Sequence, residues 1–395
     1  MDVENPNSLT AEDVGSPSSA AGLKNGVLNA LMTGVGWTYA STSTISDEIY
    51  WTGSYESYKT YDEGRIAFEE NEITVAGYPE ISQARYMSDL AISKLEEFDS
   101  NNELNDRSIL VRTYIYAALA RITIADSYDD FVFSDGTETS PPIGEENMST
   151  VYDEAINFLD KAVAMARDIG NTTYEMQALG VRARAKHAKG VWEKLNPKGT
   201  VPQNPLVSGT GASQDAEDAL ALMDQDYKAK FDYNSPQVAN YLAGQVNSRG
   251  EITLSDPFND IKTGNEDPRV KAIQEDFNNT DKYTENYSPL TWLSAREMHL
   301  IIAEEAVGTN DTKARNEINA VRALDGLPEM EPGDSFVEFI EHERRANLYL
   351  QGRRLNDMYR FGSQSDNWLQ GEDALQTPGT FLPIPANEIL ANPDV

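Results

Sequence analysis

From Thr150 to Arg167 the apolar residues Val151, Ala155, Phe158, Leu159, Ala162, Val163 and Ala166 recur at intervals of three and four. A period of 3.6 residues puts all seven on one face, so the segment is predicted as a helix with a narrow core-facing stripe. Thr150 and Asp153 form an S/T-x-x-D/E start signal, and Gly170 lies just past the end. The same periodicity recurs at 81–98, through Ala84, Met87, Leu90, Ala91 and Leu95, and at 108–127, through Leu110, Tyr114, Ala117, Ala118, Arg121 and Ile122. An Ala-rich segment, 174–195, stops before Pro197. Paired amphipathic helices with small residues at close approaches, about 34 residues per pair, are the tetratricopeptide signature, here in degenerate form. An isolated pair cannot bury its apolar face, so the pairs are expected to stack into one right-handed array. The predicted class is mainly all-α.

Other stretches lack this period. Residues 1–20 read as an irregular leader, Leu23–Val35 as a first helix, and 36–80 as aromatic, polar loops with one or two short elements. Residues 196–290 are rich in Pro, Gly and polar side chains and read as a long irregular insertion with room for a short hairpin. Helical periodicity returns at 291–307, at 311–324 through Ala314, Ile318, Val321 and Leu324, and at 334–361. Long ordered loops on a rigid scaffold commonly carry function.

Composition removes several function classes. With 32 basic and 65 acidic residues the net charge is -33, a surface that repels phosphate backbones and anionic lipid heads. Nucleic acid is therefore not an expected partner. The acids are scattered, which fits a solvated face and equally an adaptation to high salt. No dense EF-hand loop is present. There is no cysteine, which removes disulfides, thiol catalysis and zinc–thiolate sites. No stretch approaches 18 uninterrupted apolar residues, so no transmembrane helix is expected. Met1 is followed by DVENPNSLT, which is no export signal, so the chain reads either as cytosolic or as trimmed of one.

Signs of chemistry are weak. His187, His299 and His342 all fall in predicted helices without an H-E-x-x-H arrangement. His342, flanked by Glu341 and Glu343, is expected in an ion network. No G-x-S-x-G elbow exists, and SGTGAS at 208–213 lacks the lysine of a phosphate loop and reads as a turn. Paired carboxylates could hydrolyse glycosides, but among 65 acids no pair stands out. The chain is expected to be non-enzymatic, without metal or cofactor.

Aromatic residues say more. Trp37, Tyr39, Tyr50, Trp51, Tyr55, Tyr58 and Tyr61 crowd a polar stretch; Tyr227, Phe231, Tyr233 and Tyr241 form a second group, and Tyr283, Tyr287 and Trp292 a third. Flat rings with polar tips suit the apolar faces and polar edges of sugars, and equally serve as anchors that pack loops onto helices.

The C-terminal quarter carries four ordered motifs: PLTWLSAREMHLIIAEEAV (289–307), ARNEINAVRALDGLPE (314–329), FIEHERRANLYLQGRRLNDMYRFG (339–362) and the closing FLPIPANEILANPDV. Their succession resembles the RagB/SusD family, whose pattern runs E-x-x-L-I-x-A-E-A, N-x-V-R, E-R-x-x-E-L-x-x-E-G-x-R-x-x-D-x-x-R-x-G and P-I-P-x-x-E-I-x-x-N-P. The match is strong over 289–395; helices 81–195 fit that family's tetratricopeptide-like core, and DVENPNS fits the start of many mature members. The resemblance implies one domain over 1–395, divided into 1–80, 81–195, 196–290 and 291–395. It also implies a lipid-anchored, cell-surface protein that captures glycans, or peptides, for a SusC-like TonB-dependent outer-membrane transporter, without covalent chemistry. The anchoring cysteine is absent, so membrane attachment follows only if Met1 replaced a cleaved signal and lipid-bearing Cys. The chain is also short for the family, which implies reduced binding loops. Glu343, Arg344, Arg345, Arg353, Arg354, Asp357 and Arg360 sit at spacings that permit interleaved ion pairs and read as structural, Gly352 as a point of close approach, and Pro383 and Pro385 as fixing an extended tail.

Expected ligand contacts are Trp37, Tyr50, Trp51, Tyr55 and Tyr58, then Tyr233, Tyr287 and Trp292, with Asp47 and Asn71 as hydrogen-bonding partners for hydroxyls. Trp51 ranks first because it follows STSTISDEIY, which reads as a poor buried helix. A soluble tetratricopeptide-like scaffold for protein partners is the alternative from another class.

Overall fold

The computed structural model describes residues 15–134, 138–234 and 238–395, so most of the leader lies outside the described residues. Helices dominate: α1 (Ala20–Ile45), α2 (Glu56–Asp62), α3 (Glu72–Ser100), α4 (Ser108–Ser127), α5 (Ser149–Asp168), α6 (Thr172–Leu195), α7 (Ala212–Leu220), α8 (Pro268–Phe277), α9 (Ala295–Ala306), α10 (Asp311–Ala323), α11 (Phe336–Asn347), α12 (Arg354–Phe361), α13 (Asp373–Gln376) and α14 (Ala386–Ala391). Helices consecutive in the chain pack on one another from α3 through α7, and α9 packs on α10, giving the expected tetratricopeptide-like layering. Most periodic segments are helices where predicted, but 291–294 form strand and 334–361 is broken by a turn at 348–353. Helix α5 buries Val151, Ala155, Leu159, Ala162, Val163 and Ala166. Its start differs from the motif, since the Thr150 hydroxyl donates back to the Asn147 carbonyl instead of capping.

The first helix is twice the expected length. Its second half, TYASTSTI, is buried behind half-buried Trp37, contrary to the sequence reading of that stretch. The hydroxyls of Ser41, Thr42 and Thr44 donate to the carbonyls of Trp37, Thr38 and Ala40 at 3.4, 3.1 and 2.7 Å, which satisfies them inside the core. Close packing explains the small residues: a Cβ at Gly34 would fall 2.8 Å from the Ile81 Cα of α3. Helix α3 also starts earlier than its apolar stripe suggests, because Pro79 lies inside it. Proline leaves the Val75 carbonyl without its helical donor, and Asn387 Nδ2 from the C-terminal tail reaches that carbonyl at 3.3 Å.

Helix α4 is long and apolar enough to cross a bilayer by length and composition, which qualifies the expectation of no such segment. Its most apolar window is 83% buried, so that apolarity is spent on the core.

The insertion 196–290 holds more structure than expected, and its local antiparallel pairing among the described residues is one bridge, Asn259 to Glu266. Strand β1 (Ile49–Trp51) pairs antiparallel with β3 (Ile252–Leu254), and β2 (Lys228–Phe231) pairs with β4 (Leu290–Ser294) around a bulge at Ala229/Lys230. Each partner lies far away in sequence. The tail is extended, as its prolines imply: Leu382 bridges Tyr128 in parallel, and Ala386 N donates to the Glu69 carbonyl.

The charged motif residues join separate elements instead of decorating one helix. Arg344 and Arg360 both hold Asp357, at 2.9 and 2.8 Å, and Arg360 continues to Glu304 of α9. Glu304 also accepts from His187 Nε2 at 2.9 Å and Val207 N at 2.7 Å. Arg353 reaches Asp126 of α4, and Glu343 binds Arg269 and Arg322. His342 sits in this network, 3.1 Å from Asp267. At Gly352, with φ +68°, a Cβ would overlap the Tyr39 ring, so both conformation and space require glycine.

Candidate functional site

The end of α1, helix α2 and a turn at Tyr241 bring aromatic side chains into one connected cluster, and strand β1 contributes Trp51 beside Lys59 of α2. Trp37 stacks on Tyr241 with ring centroids 3.3 Å apart and planes 14° apart. The Tyr58 hydroxyl donates to the Tyr241 hydroxyl at 3.2 Å, and the Tyr55 ring lies 6.2 Å from that of Tyr58. The Arg249 guanidinium stands 5.5 Å from the Tyr55 ring, and Lys59 Nζ 5.6 Å from the Trp51 ring. Trp37, Tyr50, Trp51, Tyr55 and Tyr241 are half-buried. The cluster thus offers ring surface and two cations on an otherwise acidic protein.

Local sequence explains the assembly. A Cβ at Gly36 would lie 3.1 Å from Tyr241 N, so glycine lets the Tyr241 turn approach α1. The Asn240 side chain caps that turn at Ala243 N, and its Nδ2 donates to the Ser288 carbonyl at 2.7 Å. Asn240 N donates to the Asn286 carbonyl at 2.8 Å, which holds the loop bearing half-buried Tyr287 beside Tyr241. Between β1 and α2, Glu251 accepts from Ser54 N and Tyr55 N at 2.8 and 3.0 Å, and orients Tyr55. A Cβ at Gly53 would fall 2.6 Å from the Glu251 Cα, which fixes glycine in this loop.

Electrostatics follow burial. The Tyr241 hydroxyl is pushed up to about 12, chiefly by desolvation, and Tyr58 is raised well above its ordinary value for the same reason. Both remain neutral hydrogen-bonding groups at physiological pH. Asp62 is raised by burial, partly offset by Asn367 and Trp51 N. Trp51 N donates to Asp62 at 3.1 Å, while the indole N–H is buried without an acceptor among the described residues.

Five of the ten expected contacts are occupied inside the protein. Tyr58 is fully buried beneath the other rings. Asp47 is buried and bonded by Arg354 at 2.6 and 2.9 Å and by Arg345 at 2.8 Å. Burial alone would raise its pKa, but the two guanidiniums hold it below the ordinary carboxylate range. Asn71 is the N-cap of α3: it accepts from Ile73 N at 2.9 Å and donates to Ser57 O and Thr60 Oγ1. Tyr233 is buried with its hydroxyl on the Met32 carbonyl, and Trp292 is buried in β4 against Phe231. None of these five presents a free polar group or open ring to a ligand at the cluster. Sequence reading placed Tyr241 in a different aromatic group and did not single out Lys59 or Arg249. The Asn240-Tyr241 cap signal was present, but its partner Trp37 is some 200 residues away.

Residues 270–395 match the model of the SusD family. Solved structures share the fold over almost the whole chain. A SusD superfamily protein from Bacteroides fragilis is 15% identical with a TM-score of 0.66, covering 96% of this chain and 99% of its own. One from Bacteroides vulgatus ATCC 8482 is 13% identical with a TM-score of 0.64, covering 96% and 98%. A structure described as a laminarin binding SusD-like protein is 13% identical with a TM-score of 0.54, covering 95% and 97%. No curated protein matches the chain.

Proposed function

Taking the chain as a SusD-like protein, we propose that it captures glycans at the cell surface and hands them to a SusC-like TonB-dependent outer-membrane transporter, without breaking bonds. The connected ring cluster of Trp37, Tyr55, Tyr58 and Tyr241, bordered by Arg249, with half-buried Trp51 beside Lys59 of α2, carries this reading. Half-buried rings lie against sugar C–H faces while tyrosine hydroxyls and the two cations meet hydroxyl edges. The relative described as laminarin binding supports a glycan ligand. A lipid anchor would hold the chain beside its transporter.

The test is a calorimetric screen of neutral and anionic polysaccharides and a peptide pool, at two salt concentrations. Saturable binding of one glycan class, with the glycan recovered unchanged, is expected. Trp51→Ala is expected to weaken that binding by ~1–3 kcal/mol, as for interface aromatics, with little change in melting temperature. Binding of peptides alone would overturn the glycan reading. A large stability loss with unchanged affinity would remove Trp51 from the site.

A further inference from the structure

A second site lies apart from the ring cluster and shares no residue with it. A cleft of about 210 Å³ opens between β2, β4, α8 and the turn that follows α11. We propose that it binds a hydroxylated carboxylate of monosaccharide size, that is, a uronic acid or related sugar acid.

Charge is the first observation. In a chain of net charge -33, the cleft is lined by Lys228, Lys230, Arg269 and Arg296 against only Asp276 and Asp325. The two arginines are committed. Arg296 bonds Asp226 at 2.7 and 3.0 Å and Asp325 at 2.6 Å; Arg269 bonds Asp267 and Glu343. The lysines are held more loosely, each by a single long contact. Lys230 Nζ stands 3.7 Å from Asp276, a carboxylate that already takes Lys282 at 2.6 Å. Lys228 Nζ stands 3.4 Å from Asp226, both oxygens of which serve Arg296. Each ammonium shares a carboxylate that is already in use, so each keeps donors for an incoming anion.

Gln351 is the second observation. Only 6% exposed, it lines the cleft and donates from Nε2 to the Asn347 carbonyl at 3.0 Å, while its Oε1 has no donor among the described residues. Turning the amide over only moves the unmet end. A buried acceptor of this kind calls for a donor, and a ligand hydroxyl supplies one. Asn347 and Gln351 line the cleft as neutral amides, so neither adds a negative charge beside the two lysines. Leu350, at φ +58° and held by Glu48 Oε1 on its N–H at 2.8 Å, fixes the turn that presents Gln351. Ile273, Phe277 and Leu290 give the wall an apolar side suited to sugar C–H groups.

Calorimetry on the full chain with glucuronate, galacturonate, polygalacturonate and glucose tests the assignment. Saturable binding of the uronates but not of glucose is expected. The K228Q/K230Q double variant, whose side chains lie at the surface, is expected to lose about tenfold or more in uronate affinity. It should keep its melting temperature and its binding of neutral glycans. Gln351→Glu is expected to abolish uronate binding in a folded protein. Binding of both monomer and polymer supports a polysaccharide uronate as the source; binding of the monomer alone supports a free sugar acid. Absence of uronate binding, equal binding of glucose, or unchanged affinity in K228Q/K230Q overturns the proposal. Because neutral glycans are measured on the same variants, failure here is distinct from failure of the ring cluster as a glycan site.

Discussion

Glu48 is a buried carboxyl with no cation bonded to it among the described residues. Its Oε2 accepts from the Ser43 hydroxyl at 2.8 Å and its Oε1 from Leu350 N at 2.8 Å. Burial dominates these bonds and pushes the group up to about 7, against an ordinary value of 4.5. Between those two pH values the native state holds a proton that the unfolded chain has released. Stability from this group is therefore fully present below pH 4.5 and is lost as pH rises through 7. The separation corresponds to roughly 3 kcal/mol, at about 1.4 kcal/mol per pH unit. Glu48→Gln keeps an acceptor for Leu350 N and a partner for Ser43, but has nothing to titrate. Urea unfolding of both proteins, followed by tryptophan fluorescence from pH 4.5 to pH 8, measures the effect. The stability of Glu48→Gln relative to the parent is expected to rise by about 3 kcal/mol across that range. Other raised groups such as Asp129, pushed up to about 6 mainly by burial, cancel in the difference. A difference that stays flat with pH would refute the reasoning.

Three further outcomes follow from the packing. Asn71→Ala removes the α3 cap and is expected to cost about 1–2 kcal/mol in chemical denaturation while leaving glycan affinity unchanged; lost affinity at full stability would return Asn71 to the ligand site. In Glu304, Arg360 and His187 overcome burial and hold the carboxyl well below its usual range, so Glu304→Gln leaves buried charge uncompensated and should lower stability by about 3–5 kcal/mol. Gly352→Ala combines a positive φ with overlap of the Tyr39 ring, and should lower the melting temperature by several degrees, corresponding to more than about 1 kcal/mol.

The helical scaffold was legible wherever one face of a helix is apolar. Helices α4, α5, α6 and α10 fall within two residues of their predicted spans, because a 3.6-residue stripe is a local signal. The buried half of α1 was not legible: Ser41, Thr42 and Thr44 look like loop residues until their hydroxyls are paired to the preceding turn. The start of α3 was hidden by Pro79, although Asn71 carried a cap signal ahead of it. Of the site, the ring-rich stretch was visible in composition. Which rings stay accessible was not, because burial depends on partners such as Tyr241 and Arg354 that lie 200 to 300 residues away. Asp47 resembles a free hydrogen-bonding group in sequence for the same reason.

The strand β1 beneath the ring cluster finds its partner only at Ile252–Leu254, and the residues just before it are held by Arg354 and Leu350. Contacts of such sequence separation form slowly, since a long loop must close before they add any stability. During synthesis at roughly 5–20 residues per second, the N-terminal aromatics emerge well before the segments that lock them. The helical repeats can therefore gain structure first, while the ring cluster takes shape only when the last part of the chain has docked. Capture of a ligand would then report that folding is complete, and a chain cut short before residue 350 would keep its helical repeats and lose its site.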